Sequence, residues 1–343
     1  MTFNRPTVRL GMLALLGLGA PAYAAGTLNI YNWGDYTNPA LIEKFERTYD
    51  IDVTITDFDA NETALAKVKA GAHGFDLVVP SANFMPIWIA DGLLLESRPD
   101  LMENFRHVDP RWVDVAFDPG RRYSVPWQWG VTAVAANTEA YRGPLDSWSV
   151  VLDPPPELVG KIVVVPEMSD IVGAAVFYVG GAPCTGDREI LRRARDVLLA
   201  AKPSWLAIDY GTFDGFAQGD FLAAAGYNGA FFRARLINPA IRMGWPKEGF
   251  PIWMDNVAVL ADAQNVENAK LFQNFIMAPE NAALISAYAR YSNGIMGSEA
   301  FMPEDMQGAP ELTLPEDHKG VFVGTCPPEV NEMMIRIWTD LQK

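Results

Sequence analysis

The sequence predicts an α/β protein of two lobes, and two observations carry that expectation. Strand-like and helical segments alternate twice, first over residues 28–80 and again from Lys161 onward, a pattern that builds a mostly parallel sheet faced by helices. The chain has 343 residues, half of them hydrophobic, which is more than one core comfortably holds.

In chain order, residues 28–33 (LNIYNW) read as a buried strand. Residues 38–49 follow as an amphipathic helix with Leu41, Ile42, Phe45 and Tyr49 on one side. Residues 51–58 alternate as a strand does. Asn61 is expected to cap a helix over 62–70, and residues 74–80 to form a third strand ending at Ser81. Ligands of such sheets bind beyond the carboxyl ends of the strands. In the second block, 161–165 reads as a strand, 170–180 as a helix of small residues and 187–201 as a charged amphipathic helix. Residues 221–227 are strand-like and lead into a helix or turn. Residues 252–260 read as a strand that returns to the first lobe. Helices are expected over 266–276, 279–288 and 329–342, with the Pro- and acid-rich stretch 303–317 as loop. No internal repeat or low-complexity tract appears.

The first 24 residues read as a cleaved leader. Arg5 and Arg9 make a basic start, residues 10–18 a short apolar run, and Ala22-Tyr23-Ala24 a small-residue cleavage site. The run is shorter than the roughly 20 residues a membrane-spanning helix needs. No Cys stands at the cleavage site to take a lipid. The expectation is an exported soluble protein, periplasmic where the host has an outer membrane.

The formal charge is -15, and losing the leader's two arginines makes it more negative still. Such a field repels nucleic acid and anionic lipid and draws in cations. Cys184 and Cys326 are the two cysteines. Export permits a bridge between them, but sequence does not show their geometry, so the pairing stays open. The enzyme readings are weak. His73, His107 and His318 lack metal-ligand spacing, and no phosphate loop, nucleophile elbow or His-Glu-x-x-His motif is present. Neither a metal nor a cofactor is expected. Paired acids of a glycoside hydrolase meet only in the fold, which leaves an exported hydrolase as a remote alternative.

The informative cluster is Tyr31-Asn-Trp-Gly-Asp-Tyr36, where the first strand gives way to the first helix. Rings flanking an acid make a wall for a cationic group. The acid supplies a charge-assisted hydrogen bond, and a ring face about 0.5–2 kcal/mol of cation–π attraction. The bland reading makes Trp33 and Tyr36 core residues and Asp35 a helix-entry residue.

This segment resembles the opening of the bacterial spermidine/putrescine-binding proteins. The likeness continues, in the same order, through Gly74-Phe-Asp-Leu-Val-Val-Pro-Ser-Ala82, Val125-Pro-Trp-Gln-Trp-Gly-Val131, Pro246-Lys-Glu-Gly249 with Trp253-Met-Asp255, and Arg290-Tyr-Ser-Asn293. The resemblance implies the two-lobed type II periplasmic binding protein fold with the ligand cleft between the lobes. Lobe one would comprise residues 25–134 and 257–317, and lobe two residues 135–256; the lobe of residues 318–343 stays open. Hinges would lie near 133–137 and 255–259.

It further implies an ABC-importer component without catalysis, acting as a monomer, with a cationic polyamine-like ligand and a membrane permease as partners. Trp33, Tyr36, Trp253 and Tyr291 would wall the ligand, with Tyr227 where the family usually has Trp. Asp255 would take an ammonium, Ser81 a hydrogen bond, Asp35 the other ligand end, and Asp170 aligns near a family Glu. Two positions depart from the pattern. Gly34 replaces a frequent Ser, and Ala230 stands where an Asp is expected. A conventional diamine would then need another acid, with Asp209, Asp214 and Asp170 as candidates, or the ligand would be a monoamine, an amino acid-like derivative or a modified polyamine. Arg233, just past Ala230, is placed to meet a carboxylate.

Overall fold

The structure is a computed structural model that describes Met1 and residues 26–343; residues 2–24 of the expected leader lie outside the described part. Strand β1 (Gly26–Trp33) is followed by helix α1 (Pro39–Tyr49). Asn38 caps α1 by accepting from the Ala40 N–H, Pro39 fills its first turn, and Leu41 and Phe45 are buried. β2 (Ile51–Phe58) pairs parallel with β1 over its whole length. Helix α2 (Asn61–Lys69) starts one residue earlier than expected. Asn61 does not cap it. Its Oδ1 accepts from the Ser81 N–H at 3.0 Å and its Nδ2 donates to Ser81 Oγ at 3.1 Å. The third strand is also shorter than expected: only β3 (Leu77–Val78) pairs as a strand. The Asp76 carboxylate is engaged by the N–H groups of Asn29, Gln264 and Asn265, and Pro80 has no N–H to offer a ladder. Helix α3 (Met85–Ala90) and a small hairpin of β4 (Asp114–Val115) and β5 (Asp118–Pro119) lead to the long β6 (Ser124–Asn137).

β6 joins the two halves. Its residues up to Val131 pair with a later strand of the first half, and from Thr132 its partner is β9 of the second. That second half runs α4 (Ser149–Leu152), β7 (Ile162–Val164), α5 (Met168–Tyr178), α6 (Arg188–Ala201), β8 (Ala207–Ile208), α7 (Phe213–Gln218), β9 (Ala223–Tyr227), α8 (Asn228–Ile237) and β10 (Ile241–Gly244). β11 (Phe250–Val259) returns, antiparallel to β6 and β3. α9 (Val266–Ile276) and α10 (Pro279–Ala289) then pack on the first half. β12 (Gly320–Phe322) and α11 (Pro328–Gln342) close the chain. The continuous strand order is β2-β1-β3-β11-β6-β9-β7-β8.

Each half buries its own core, as independent lobes do. Leu28, Phe45, Trp127 and Phe272 belong to the first, and Trp148, Ile162, Leu198 and Phe250 to the second. Helix α11 presents Val330, Met334, Ile337 and Leu341 at helical spacing to this second core. The Cys184–Cys326 bridge, with Cα atoms 5.1 Å apart, ties α11's approach to the loop after α5. The stretch 303–317 carries only a short 3-10 turn at Glu304–Met306. Within it, Glu311 is buried and takes two hydrogen bonds from Arg235.

Candidate functional site

The carboxyl ends of β1 and β3 face the second half across a cavity of about 310 Å³. All ten residues expected at the site line it: Trp33, Gly34, Asp35, Tyr36, Ser81, Asp170, Tyr227, Trp253, Asp255 and Tyr291. They come from β1 and its turn, the loop after β3, α5, β9, β11 and the loop after α10, positions that only the fold brings together.

Asp255 is the most constrained of them. It lies in β11 at a register shift against β6, between Asp255 and Asn256, which re-aims a side chain as bulges do. The carboxylate is buried, with Oδ1 accepting from Ser81 Oγ at 2.6 Å and Oδ2 from Tyr36 OH at 2.9 Å. Burial pushes its pKa up to about 6, against the two hydroxyl hydrogen bonds, and Asp170 pushes it further in the same direction. Asn61 holds Ser81 from behind. The turn that delivers Tyr36 is built by Asn32, whose Oδ1 accepts from the Trp33 N–H and whose Nδ2 donates to Thr37 Oγ1.

The rings form a chain of edge-to-face contacts. Tyr36 meets Tyr291 at 6.0 Å between centroids, Tyr291 meets Trp253 at 5.0 Å, and Trp253 meets Tyr227 at 5.5 Å. Two glycines make this packing possible. A Cβ on Gly130 would come within 2.6 Å of the Trp253 ring, and one on Gly229 within 2.5 Å of the Tyr291 ring. Trp33 is pinned by its Nε1 donating to the Val79 carbonyl at 3.0 Å.

Two further acids stand on the second half. Asp170, in the first turn of α5, is buried and accepts from Tyr227 OH at 3.2 Å; burial pushes its pKa up to about 6. Glu167 precedes α5 and accepts from Tyr210 OH at 2.6 Å. Burial pushes its pKa up to about 8, opposed by that hydrogen bond and helped by Asp170. Asp209 and Asp214, expected as possible stand-ins for an acid at Ala230, do not reach the cavity; Asp209 is spent on a turn, accepting from the Gly211 N–H at 2.8 Å.

At the other end, Asp35 has φ of 51°, and its carboxylate is taken by Arg233 of α8 and by Tyr288 OH at 2.9 Å. The carboxylate that Arg233 meets is thus the protein's own. A Cβ on Gly34 would meet only Asp57, at 3.8 Å, so the turn has room for a side chain and packing does not demand glycine there. Glu167, Tyr210, Phe213 and Asn61 line the cavity without having been expected at the site. Glu167 alone carried a signal, being three residues ahead of Asp170 and so near it on a helical path.

A family model described as bacterial extracellular solute-binding protein matches residues 40–313. A spermidine/putrescine-binding periplasmic protein of Salmonella typhimurium is 30% identical over 333 residues, covering 96% of this chain and 94% of that one. A putrescine-binding periplasmic protein of Pseudomonas aeruginosa is 28% identical over 362 residues, covering 99% and 98%. Among solved structures, the TpPotD lipoprotein of Treponema pallidum superposes with a TM-score of 0.82 at 26% identity, covering 92% of this chain and 99% of that one.

Proposed function

The chain belongs to the bacterial extracellular solute-binding proteins, and from that premise we propose that it binds a polyamine or related amine between its lobes and delivers it to the permease of an ABC importer. The observation that carries the reading is the Asp255 carboxylate, buried, held by Ser81 and Tyr36, and facing a cavity walled by rings. It has two hydroxyl partners and, among the described residues, no fixed cation, so an ammonium supplies the missing countercharge. Trp33, Trp253, Tyr291 and Tyr36 cover the alkyl chain and add cation–π attraction, about 0.5–2 kcal/mol per contact. Asp170 and Glu167 receive a second ammonium, which offsets the absence of an acid at Ala230. No reaction is assigned to the site.

The leader at residues 1–24 sends the chain to the periplasm, where a net charge more negative than the -15 of the full sequence helps draw in cations. The lobes are those of residues 25–134 with 257–317 and of residues 135–256, with α11 carried on the second. They move about β6 where its partner changes, between Val131 and Thr132, just before the hinge expected at 133–137. Closure excludes water and strengthens each carboxylate–ammonium contact. A ligand stabilises the closed form only through its extra affinity for it. Native mass spectrometry of the purified protein and calorimetric titration with putrescine, cadaverine and spermidine test the reading. An amine carried through purification, or micromolar or tighter binding, supports it. No binding of any of the three overturns it.

A further inference from the structure

Resting on the amine-binding reading, we propose that Arg233 is a specificity-determining residue that limits the length of polyamine the cleft accepts, by holding a fixed cation where a longer ligand would bring its next ammonium. Among the described residues lining the cavity there are four acids, Asp35, Glu167, Asp170 and Asp255, and one base, Arg233. The charges are not evenly spread. Asp255, Asp170 and Glu167 have hydroxyl partners and are free to receive ligand cations. Asp35 is already neutralised, because Arg233 occupies it. That end of the cavity therefore offers no free carboxylate, only a guanidinium already paired with Asp35, and Ala230, one helical turn earlier on the same face of α8, offers no further acid.

The guanidinium is held in place from several sides. Asp35 receives one of its nitrogens, and the Phe213 ring lies 3.8 Å from its carbon. Asp35 is itself steadied by Tyr288 OH. The Arg233 side chain is only 16% exposed, so solvent screens it poorly. A short diamine satisfies both ammoniums within the three available acids. A longer polyamine whose third ammonium reaches Arg233 finds a cation and no free carboxylate there.

The test is the ratio of spermidine to putrescine affinity, measured calorimetrically for the wild type and for Arg233→Gln, Arg233→Lys and Asp35→Asn. Loss of the Arg233–Asp35 contact between lobes weakens closure for every ligand alike, so absolute affinity is not the readout. The wild type is expected to prefer putrescine. Arg233→Gln should move the ratio toward spermidine by on the order of tenfold or more, and Arg233→Lys should leave it near wild type. Asp35→Asn leaves the guanidinium without its carboxylate and should weaken spermidine more than putrescine. A wild type that prefers spermidine, a ratio unmoved in Arg233→Gln, or a loss in Asp35→Asn that is no larger for spermidine than for putrescine overturns the assignment while amine binding itself stands. A wild type that binds neither amine removes both readings together.

Discussion

Replacing Asp255 by Asn removes one charge and almost no volume, and its consequences for binding and for stability have opposite signs. In the complex, the ligand ammonium loses its carboxylate while remaining buried. Breaking a buried charge pair costs about 3–5 kcal/mol, or roughly two to three and a half decades in affinity at about 1.4 kcal/mol per decade. In the empty protein the same charge is a burden. Burial lifts the Asp255 pKa from 3.8 to about 6, and at about 1.4 kcal/mol per pKa unit the ionised form costs the fold about 3 kcal/mol. Because the folded pKa is raised, this stability is present below pH 3.8 and is lost as pH rises through about 6. Empty D255N is therefore expected to melt no lower than wild type at pH 7, with the advantage disappearing at pH 4. Calorimetric titration with putrescine and thermal melts of the empty proteins at the two pH values check both halves. Affinity within a factor of about three of wild type, or a D255N protein clearly less stable than wild type at pH 7, would refute the argument and make Asp255 a structural residue.

The three carboxyls with raised pKa couple binding to pH. Asp255, Asp170 and Glu167 are held up to about 6, 6 and 8, so a cation binding at pH 6–7 displaces protons; affinity should rise from pH 5 to pH 8, and titrations in buffers of different ionisation enthalpy should detect the release. The Cys184–Cys326 bridge closes a loop spanning 142 positions, so the double variant Cys184→Ser/Cys326→Ser should lose about 5 kcal/mol in urea unfolding while ligand affinity of the folded protein holds, since neither residue lines the cavity. Gly130→Ala puts a methyl group against the Trp253 ring and Asn228 Oδ1; overpacking of this kind costs about 1–3 kcal/mol, and putrescine affinity should fall as the ring is displaced. Glu311→Gln strips the charge from a buried partner of Arg235 and should lower the unfolding free energy by about 2 kcal/mol with little effect on the cleft.

Much of the fold was legible because it is written in local pattern. The apolar stripe of Leu41 and Phe45, the alternation over residues 51–58 and the amphipathic pattern of α6 each depend on neighbours within one or two turns. The misreadings come from contacts that distant segments decide. Asn61 looked like a cap and instead braces Ser81. Residues 74–76 looked like strand, but Asp76 is drawn to backbone N–H groups nearly two hundred positions away. The ring and acid positions of the site were legible through family resemblance, and the cavity includes all of them. Tyr210 was not, and Glu167 offered only its spacing from Asp170, since nothing else in their local sequence distinguishes a half-buried acid and its hydroxyl partner from a solvated loop.

By itself the sequence determined many of the strands and helices and that rings and acids recur at strand ends, because periodicity and residue type act over short distances; the long central strand β6 was not among them. Tertiary structure alone decided which charges are free and which are spent. Asp35 and Asp255 are the same residue type in similar aromatic company. One is neutralised by Arg233 of α8 and the other is left with two hydroxyls. That difference is electrostatic and depends on partners about 200 positions apart in the chain, which no local pattern encodes.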